Sequence, residues 1–86
     1  MNFSIKFTTK SSNFIKKLEN KIKERIKEKI NKLSENPFPS EAVRAESYKD
    51  YKVFRVRIGD YRILYNVNFK DKLIIIIKID KRGRVY

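Results

Sequence analysis

Apolar and polar residues alternate in three segments of the chain, as they do in β-strands that bury one face, and a fourth segment is apolar at most positions, as in a strand buried on both faces. Between the first and second of these segments, residues 10–35 instead carry apolar side chains at spacings of three and four, which is typical of amphipathic helix. Glu19-Asn20 interrupts this spacing and predicts a helix of about ten residues followed by one of about fifteen. The three alternating segments are residues 2–8, 52–58 and 61–69, and the segment apolar on both faces is residues 72–80.

The order of these elements predicts an α+β fold with the pattern β-α-α-β-β-β. An N-terminal strand and a helical hairpin are followed by a three-stranded antiparallel meander that completes one sheet. Asn36-Pro37 ends the second helix, because the residue before a proline is disfavoured in helical conformation. Residues 36–51 are predicted to be a loop, and at 86 residues the chain is interpreted as a single domain, 1–86.

A hairpin in the meander carries the most informative chemistry. Gly59-Asp60 is typical of a two-residue loop, which places Arg57 directly opposite Arg62 on the same face of the sheet. Like charges in that position cost roughly a few tenths to 1 kcal/mol of stability. With Arg55 two residues away, three guanidinium groups favour an anion such as a phosphate between them.

The register of the last two strands determines what else lies near these arginines. In the last strand, four odd-numbered apolar residues are predicted to share the core face, with Ile74 and Ile76 on the other face. Matching them to the odd-numbered core face of the preceding strand excludes a two-residue loop at Lys70-Asp71 and predicts a three-residue loop, which places Arg62 opposite residue 78 or 80. The odd-numbered residues are Leu73, Ile75, Ile77 and Ile79.

The C-terminal tail is then predicted to emerge beside the arginines, so that one end of the sheet collects cations and a phenol. Solvated charge is an alternative interpretation for Lys78 and Arg84, and a packed aromatic ring is an alternative for Tyr86. Asp60 and Asp80, the nearby carboxylates, are expected to form ion pairs rather than to act as general bases. The collected groups are Arg55, Arg57, Arg62, Lys78, Lys81, Arg82, Arg84 and Tyr86.

Composition narrows the classes of function. There are 22 Lys and Arg against 10 Asp and Glu, a formal charge of +12, which favours nucleic acid, a ribosome, an anionic membrane or an acidic protein as partner. Solvated surface lysine explains part of this excess.

The chain has no cysteine and no histidine, so we expect no thiol chemistry, no transition-metal site and no cofactor. Its longest apolar run, residues 73–77, is far short of the roughly 20 residues of a membrane span, and a cytoplasmic location is predicted.

The predicted cluster suits cleavage of an RNA phosphodiester. Arginines can hold the scissile phosphate and stabilise the charge that grows on it in the transition state. The phenol of Tyr86 can transfer a proton. The nucleophile would be the 2′-hydroxyl of the RNA, which requires neither a protein nucleophile nor a metal.

These features together resemble the RelE/ParE superfamily of toxins from type II toxin–antitoxin pairs. The similarity covers essentially the whole chain, and the Arg-x-Arg-x-Gly-Asp-Tyr-Arg segment is its most specific part. The matching pieces are the strand Phe3–Phe7, the helical pair ending at Asn36-Pro37, the strand pair Val53–Tyr65 and the terminal segment Lys81–Tyr86.

The resemblance implies an antiparallel sheet packed on a helical hairpin and, for the RelE branch, cleavage of mRNA in the ribosomal A site. Arg55 and Arg57 match basic positions that assist proton transfer and charge stabilisation. Arg62 matches a phosphate-binding arginine, Arg82 an arginine past the last strand, and Tyr86 the near-terminal tyrosine. The expected RNA- and phosphate-binding residues are Arg57, Arg62, Lys78, Lys81, Arg82 and Arg84.

The resemblance also implies partners and leaves alternatives open. A RelB-like acidic antitoxin, the ribosome and mRNA are the expected partners, without a membrane or a small-molecule cofactor. One alternative is a ParE-like toxin that inhibits DNA gyrase without catalysis. Another is a catalytically inactive module that binds RNA or the ribosome. The combination of Arg62, Arg82 and Tyr86 favours the nuclease.

Overall fold

The computed structural model describes residues 2–45 and 53–81, and these form the predicted α+β fold. Within the described residues, five strands form one sheet in the order β1-β5-β4-β3-β2, and two helices pack on it. Along the chain the elements are β1 Ser4–Phe7, α1 Thr9–Lys16, α2 Asn20–Glu35, β2 Val43–Arg44, β3 Val53–Ile58, β4 Tyr61–Asn68 and β5 Leu73–Lys81.

The two helices lie where the spacing of apolar residues predicts them. Helix α1 has 8 residues and α2 has 16, with the predicted interruption before Asn20. Thr8 is the N-cap of α1, and its side chain accepts a hydrogen bond from the Ser11 backbone N–H. Asn36, the residue before Pro37, is extended and ends α2.

Two features of the sheet differ from the sequence-based expectation. Strand β1 pairs with β5 in parallel, so the sheet is mixed rather than wholly antiparallel. Residues 43–44, expected to be loop, form the short edge strand β2 beside β3. A strand of two residues is too short to show alternation, which is why the sequence pattern missed it. Residues 46–51 of the predicted loop lie outside the described residues.

A β-bulge in β5 overturns the predicted face of that strand. Leu64 pairs with Lys78 but the next residue, Tyr65, pairs with Ile76, so Ile77 is the extra residue. Ile74 and Ile76 therefore lie on the core side with Ile79, and the expectation that Leu73, Ile75 and Ile77 share the core face is wrong. The connection to β4 accordingly has four residues, 69–72, instead of three.

The core lies between the helices and one face of the sheet, and Tyr65 in the middle strand β4 is fully buried there. Helix α2 contributes three buried apolar side chains to the core, those of Ile26, Ile30 and Leu33. Because residues alternate between faces along β3 and β4, packing one face on the helices leaves the arginine-bearing face uncovered by them. In the part of the chain described, no helix is long and apolar enough to span a membrane.

Candidate nucleic-acid interface

The hairpin between β3 and β4 places two arginines side by side, as predicted. Arg57 is the direct cross-strand neighbour of Arg62, and Gly59-Asp60 forms the two-residue turn. Gly59 has a φ of +58°, a conformation that glycine adopts without the steric cost other residues incur. The two-residue turn therefore fixes the positions of Arg57 and Arg62 relative to each other.

A carboxylate lies on the other side of Arg62. Asp80 in β5 is its cross-strand neighbour, so Arg57, Arg62 and Asp80 form one row across three adjacent strands. The Arg62 Nε and Nη2 atoms donate to Asp80 Oδ1 and Oδ2 at 3.1 and 3.2 Å. This confirms the expectation that Asp80 forms an ion pair, and it shows that Arg62 has a compensating charge beside it.

The remaining cations of this face have different surroundings. The Lys78 Nζ lies 3.5 Å from Asp80 Oδ2, so the carboxylate contacts two cations. Arg57 is exposed and Arg55 is half-buried, and within residues 2–45 and 53–81 neither forms a salt bridge. Among the described residues of β3, β4 and β5, this face therefore carries the four cations Arg55, Arg57, Arg62 and Lys78 beside the carboxylate of Asp80.

Apolar residues interrupt this basic surface. Arg55 lies opposite Leu64 on one side and opposite Val43 on the other, and Leu64 in turn lies opposite Lys78. Val43 is exposed and Leu64 is half-buried. The surface can therefore offer guanidinium groups to phosphates and aliphatic side chains to less polar parts of a partner.

The other predicted site residues are placed differently or lie outside the described chain. Lys81 pairs with Tyr61, which packs against Phe14 of α1, so Lys81 lies at the expected end of the sheet but on its helix side. The tail residues Arg82, Arg84 and Tyr86 lie outside the described residues. The structure thus brings together Arg55, Arg57, Arg62 and Lys78 on one face.

Arg25 is a neighbour of the hairpin that the sequence interpretation missed. Its guanidinium lies beside Gly59, with Nη2 3.5 Å from where a Cβ would stand at that glycine. Arg25 belongs to α2, so it extends the positive charge around the turn to the helix side of the sheet. The sequence feature that could have drawn attention to it is that Arg25 is the one arginine in an otherwise lysine-rich helix.

Comparison with known proteins identifies the family. The family model described as the ParE toxin of type II toxin–antitoxin systems, parDE, matches residues 5–86. The chain belongs to this family of toxins. The toxin is also 34% identical, over 87 residues, to a protein of Methanocaldococcus jannaschii named RelE1 and described as a candidate toxin; this covers 100% of the toxin and 97% of that protein.

Solved structures confirm the fold of the toxin. It matches a chain from the archaeal RelE–RelB complex of Pyrococcus horikoshii OT3 with 33% identity and a TM-score of 0.84, over 99% of the toxin and 100% of that chain. The isolated RelE toxin of E. coli matches with a TM-score of 0.80 over 95% of the toxin and 86% of that chain; at 19% identity this supports the fold alone. The predicted RelE/ParE superfamily membership is confirmed.

Proposed function

We propose that this toxin is a ribosome-dependent endoribonuclease that cleaves mRNA in the A site by metal-independent attack of the RNA 2′-hydroxyl. The observation that carries the proposal is the juxtaposition of Arg57 and Arg62 across the hairpin. Such a pair opposes folding unless an anion compensates it, and Asp80 compensates Arg62 from the far side only. Arg57 is left exposed beside it, as a second cation for a phosphate.

The chemistry requires little from the protein beyond charge and proton transfer. The 2′-oxygen attacks phosphorus and the bond to the 5′-oxygen breaks, which yields a 2′,3′-cyclic phosphate and a 5′-hydroxyl. Arg57 and Arg62 would hold the non-bridging oxygens and stabilise the extra negative charge of the transition state. Tyr86 would take the 2′ proton or supply one to the 5′-oxygen.

The other site residues are proposed in supporting roles. Arg55 and Arg82 complete the proposed catalytic set by stabilising charge, because a guanidinium holds its proton tightly and is a poor proton donor. Lys78, Lys81, Arg82 and Arg84 would contact RNA phosphates. Residues 1–86 are proposed to act as one domain.

The proposed partners are an acidic RelB-like antitoxin, the ribosome and mRNA in the cytoplasm. The antitoxin is supported by the P. horikoshii relative, whose structure is that of a RelE–RelB complex. The formal charge of +12 suits both an acidic inhibitor and ribosomal RNA.

A ParE-like inhibitor of DNA gyrase is the second candidate, because the matching family model carries the ParE name. The two functions differ in what fails first in the cell. A nuclease stops translation with mRNA cut at A-site codons, whereas a gyrase inhibitor causes DNA damage while translation continues. Ribosome profiling after induction, together with a supercoiling assay on purified gyrase, separates them.

The direct test is cleavage of mRNA on ribosomes programmed with a defined A-site codon. We expect wild type to cut, and Arg57→Ala and Arg62→Ala to lose about 10²–10³-fold in rate, as for removal of a transition-state hydrogen-bond donor. Arg44→Ala is the matched control, because Arg44 is an exposed arginine opposite Phe54 on the core-side face. Equal rates for Arg44→Ala, Arg57→Ala and Arg62→Ala would contradict the proposed site.

A further inference from the structure

We propose that Asp80 is a positioning residue, which fixes the Arg62 guanidinium so that its free edge and Arg57 receive one RNA phosphate. This inference rests on the proposed nuclease function, because it assigns the phosphate to that site. It is supported by the geometry of the Arg62–Asp80 ion pair and by the order of strands β5, β4 and β3 in the sheet.

The contact between Arg62 and Asp80 uses one particular edge of the guanidinium. Nε and Nη2, which lie on the same edge, bind the two carboxylate oxygens at 3.1 and 3.2 Å. A guanidinium has five N–H donors in a rigid plane, so both hydrogens of Nη1 and the second hydrogen of Nη2 remain. One hydrogen of Nη1 and the remaining hydrogen of Nη2 form an end-on pair whose geometry matches two oxygens of a phosphate.

The order of the strands determines where that free edge lies. Strand β4 lies between β5, which carries Asp80, and β3, which carries Arg57. Because the Nε–Nη2 edge faces Asp80, the Nη1 corner lies on the side away from β5, which is the side of Arg57. A phosphate bound to that corner would therefore lie within reach of both guanidinium groups.

The carboxylate is itself held in place from a second direction. The Lys78 Nζ lies 3.5 Å from Asp80 Oδ2, and Lys78 and Asp80 lie on the same face of β5 beyond the bulge. An arginine on an open sheet face otherwise samples several rotamers, and fixing it before substrate binds lowers the cost of reaching the productive geometry. Partly exposed ion pairs contribute little to stability, so positioning is the larger effect expected of Asp80.

If Asp80 acted only through its charge, its loss would change the cleavage rate in the opposite direction from the loss of a positioning residue. Asp80 removes positive charge from a surface that binds anions, so without positioning its loss should strengthen RNA binding and accelerate cleavage. If Asp80 positions Arg62, loss of Asp80 should leave RNA binding unchanged or stronger but slow the chemical step. The sign of the change in rate therefore distinguishes the two roles.

The experiment measures single-turnover cleavage of mRNA on programmed ribosomes over a range of toxin concentrations. For Asp80→Asn we expect the saturating rate to fall at least tenfold while the half-saturating concentration stays equal or falls. Asp80→Glu, which keeps the carboxylate, should recover part of the rate. Glu28→Gln is the matched control, because it removes one negative charge from an exposed position on α2 and should leave the rate unchanged. A saturating rate for Asp80→Asn equal to or above wild type would overturn the inference.

A spectroscopic measurement separates failure of this inference from failure of the proposed function. In ¹⁵N-labelled toxin we expect the Arg62 Nε–H signal to exchange slowly with water, and Asp80→Asn to exchange it at least tenfold faster. A short RNA with a 2′-deoxy sugar at the scissile position should shift the Nη signals of Arg57 and Arg62 while Arg62 Nε–H stays protected. If wild type cleaves no mRNA but shows these signals, the nuclease proposal alone fails. Equal exchange in wild type and Asp80→Asn overturns the positioning role.

Discussion

The Tyr65 hydroxyl donates a buried hydrogen bond of 2.7 Å to the carbonyl oxygen of Pro37. Tyr65 lies in the middle strand of the sheet and Pro37 lies just after α2, so this bond ties the exit of the helix to the core. Beside it, the ring of Phe38 contacts that of Phe54 edge-on, with centroids 4.7 Å apart. The bond thus anchors the segment that leads to the edge strand β2.

We expect Tyr65→Phe to lower the free energy of unfolding by about 1–3 kcal/mol, because it leaves the buried carbonyl of Pro37 without a donor. Urea unfolding followed by circular dichroism measures this. Tyr61→Phe is the control, since Tyr61 is only half-buried, and it should change stability by less than about 0.5 kcal/mol. Equal losses in the two variants would contradict the role of the hydrogen bond.

Tyr65 also predicts a loss of stability in alkaline solution. Burial, followed by the negative charge of Glu41, raises the pKa of the Tyr65 phenol well above the usual value of about 10. The unfolded chain therefore releases this proton first, so stability is unaffected below about pH 10 and falls as pH rises above it, by up to about 1.4 kcal/mol per pH unit. Urea unfolding at a series of pH values should show a shallower decline for Tyr65→Phe than for wild type; identical slopes would contradict this prediction.

A third prediction concerns the start of α1, which holds the bulge of β5. The Thr8 hydroxyl contacts the carbonyl oxygen of Ile77, the bulged residue, at 2.8 Å, and it also caps the helix through the Ser11 N–H. We expect Thr8→Ala to cost about 0.5–2 kcal/mol, the usual range for loss of an N-cap. Thermal and urea unfolding should show near-wild-type stability for Thr8→Ser and for the exposed control Thr9→Ala. A Thr8→Ala protein as stable as Thr9→Ala would contradict this account.

Tyr86 provides a test of proton transfer in the proposed reaction. If its phenol acts as acid or base, Tyr86→Phe should slow mRNA cleavage by about 10²–10⁴-fold, because the ring remains and only the ionisable hydroxyl is lost. Binding to ribosomes, measured by co-sedimentation, should persist. An unchanged cleavage rate would reduce Tyr86 to a packing or stacking role.

The final prediction concerns the partner that silences the toxin. The charge of +12 predicts an antitoxin with an acidic, partly disordered segment that folds on binding, with carboxylates near Arg57 and Arg62. Its association rate should fall steeply with added salt while its dissociation rate changes little, because exposed charges steer encounter and buried apolar contacts hold the complex. Stopped-flow kinetics at several salt concentrations measures both rates.

Co-expression with the neighbouring gene tests the partnership itself. A chain that is harmless alone and retains no small acidic protein when co-expressed with that gene would contradict the toxin–antitoxin partnership.

The sequence by itself determined the local parts of the site. Alternation in β3 and β4 and the Gly59-Asp60 turn act between residues close in the chain, so the pairing of Arg57 with Arg62 followed without further information. The spacing of apolar residues likewise located both helices. The same alternation limited the partner of Arg62 to residue 78 or 80.

Only the tertiary structure decided the features that depend on distant contacts. The apolar run at residues 73–77 shows no alternation, so its core-facing residues are chosen by what packs on it, and the bulge at Ile77 follows from that packing. With the bulge in place, Asp80 rather than Lys78 lies opposite Arg62. The parallel pairing of β1 with β5 and the approach of Arg25 to Gly59 join residues far apart in the chain. Such contacts form only when helices and sheet bury their apolar faces together, and no local pattern encodes that choice.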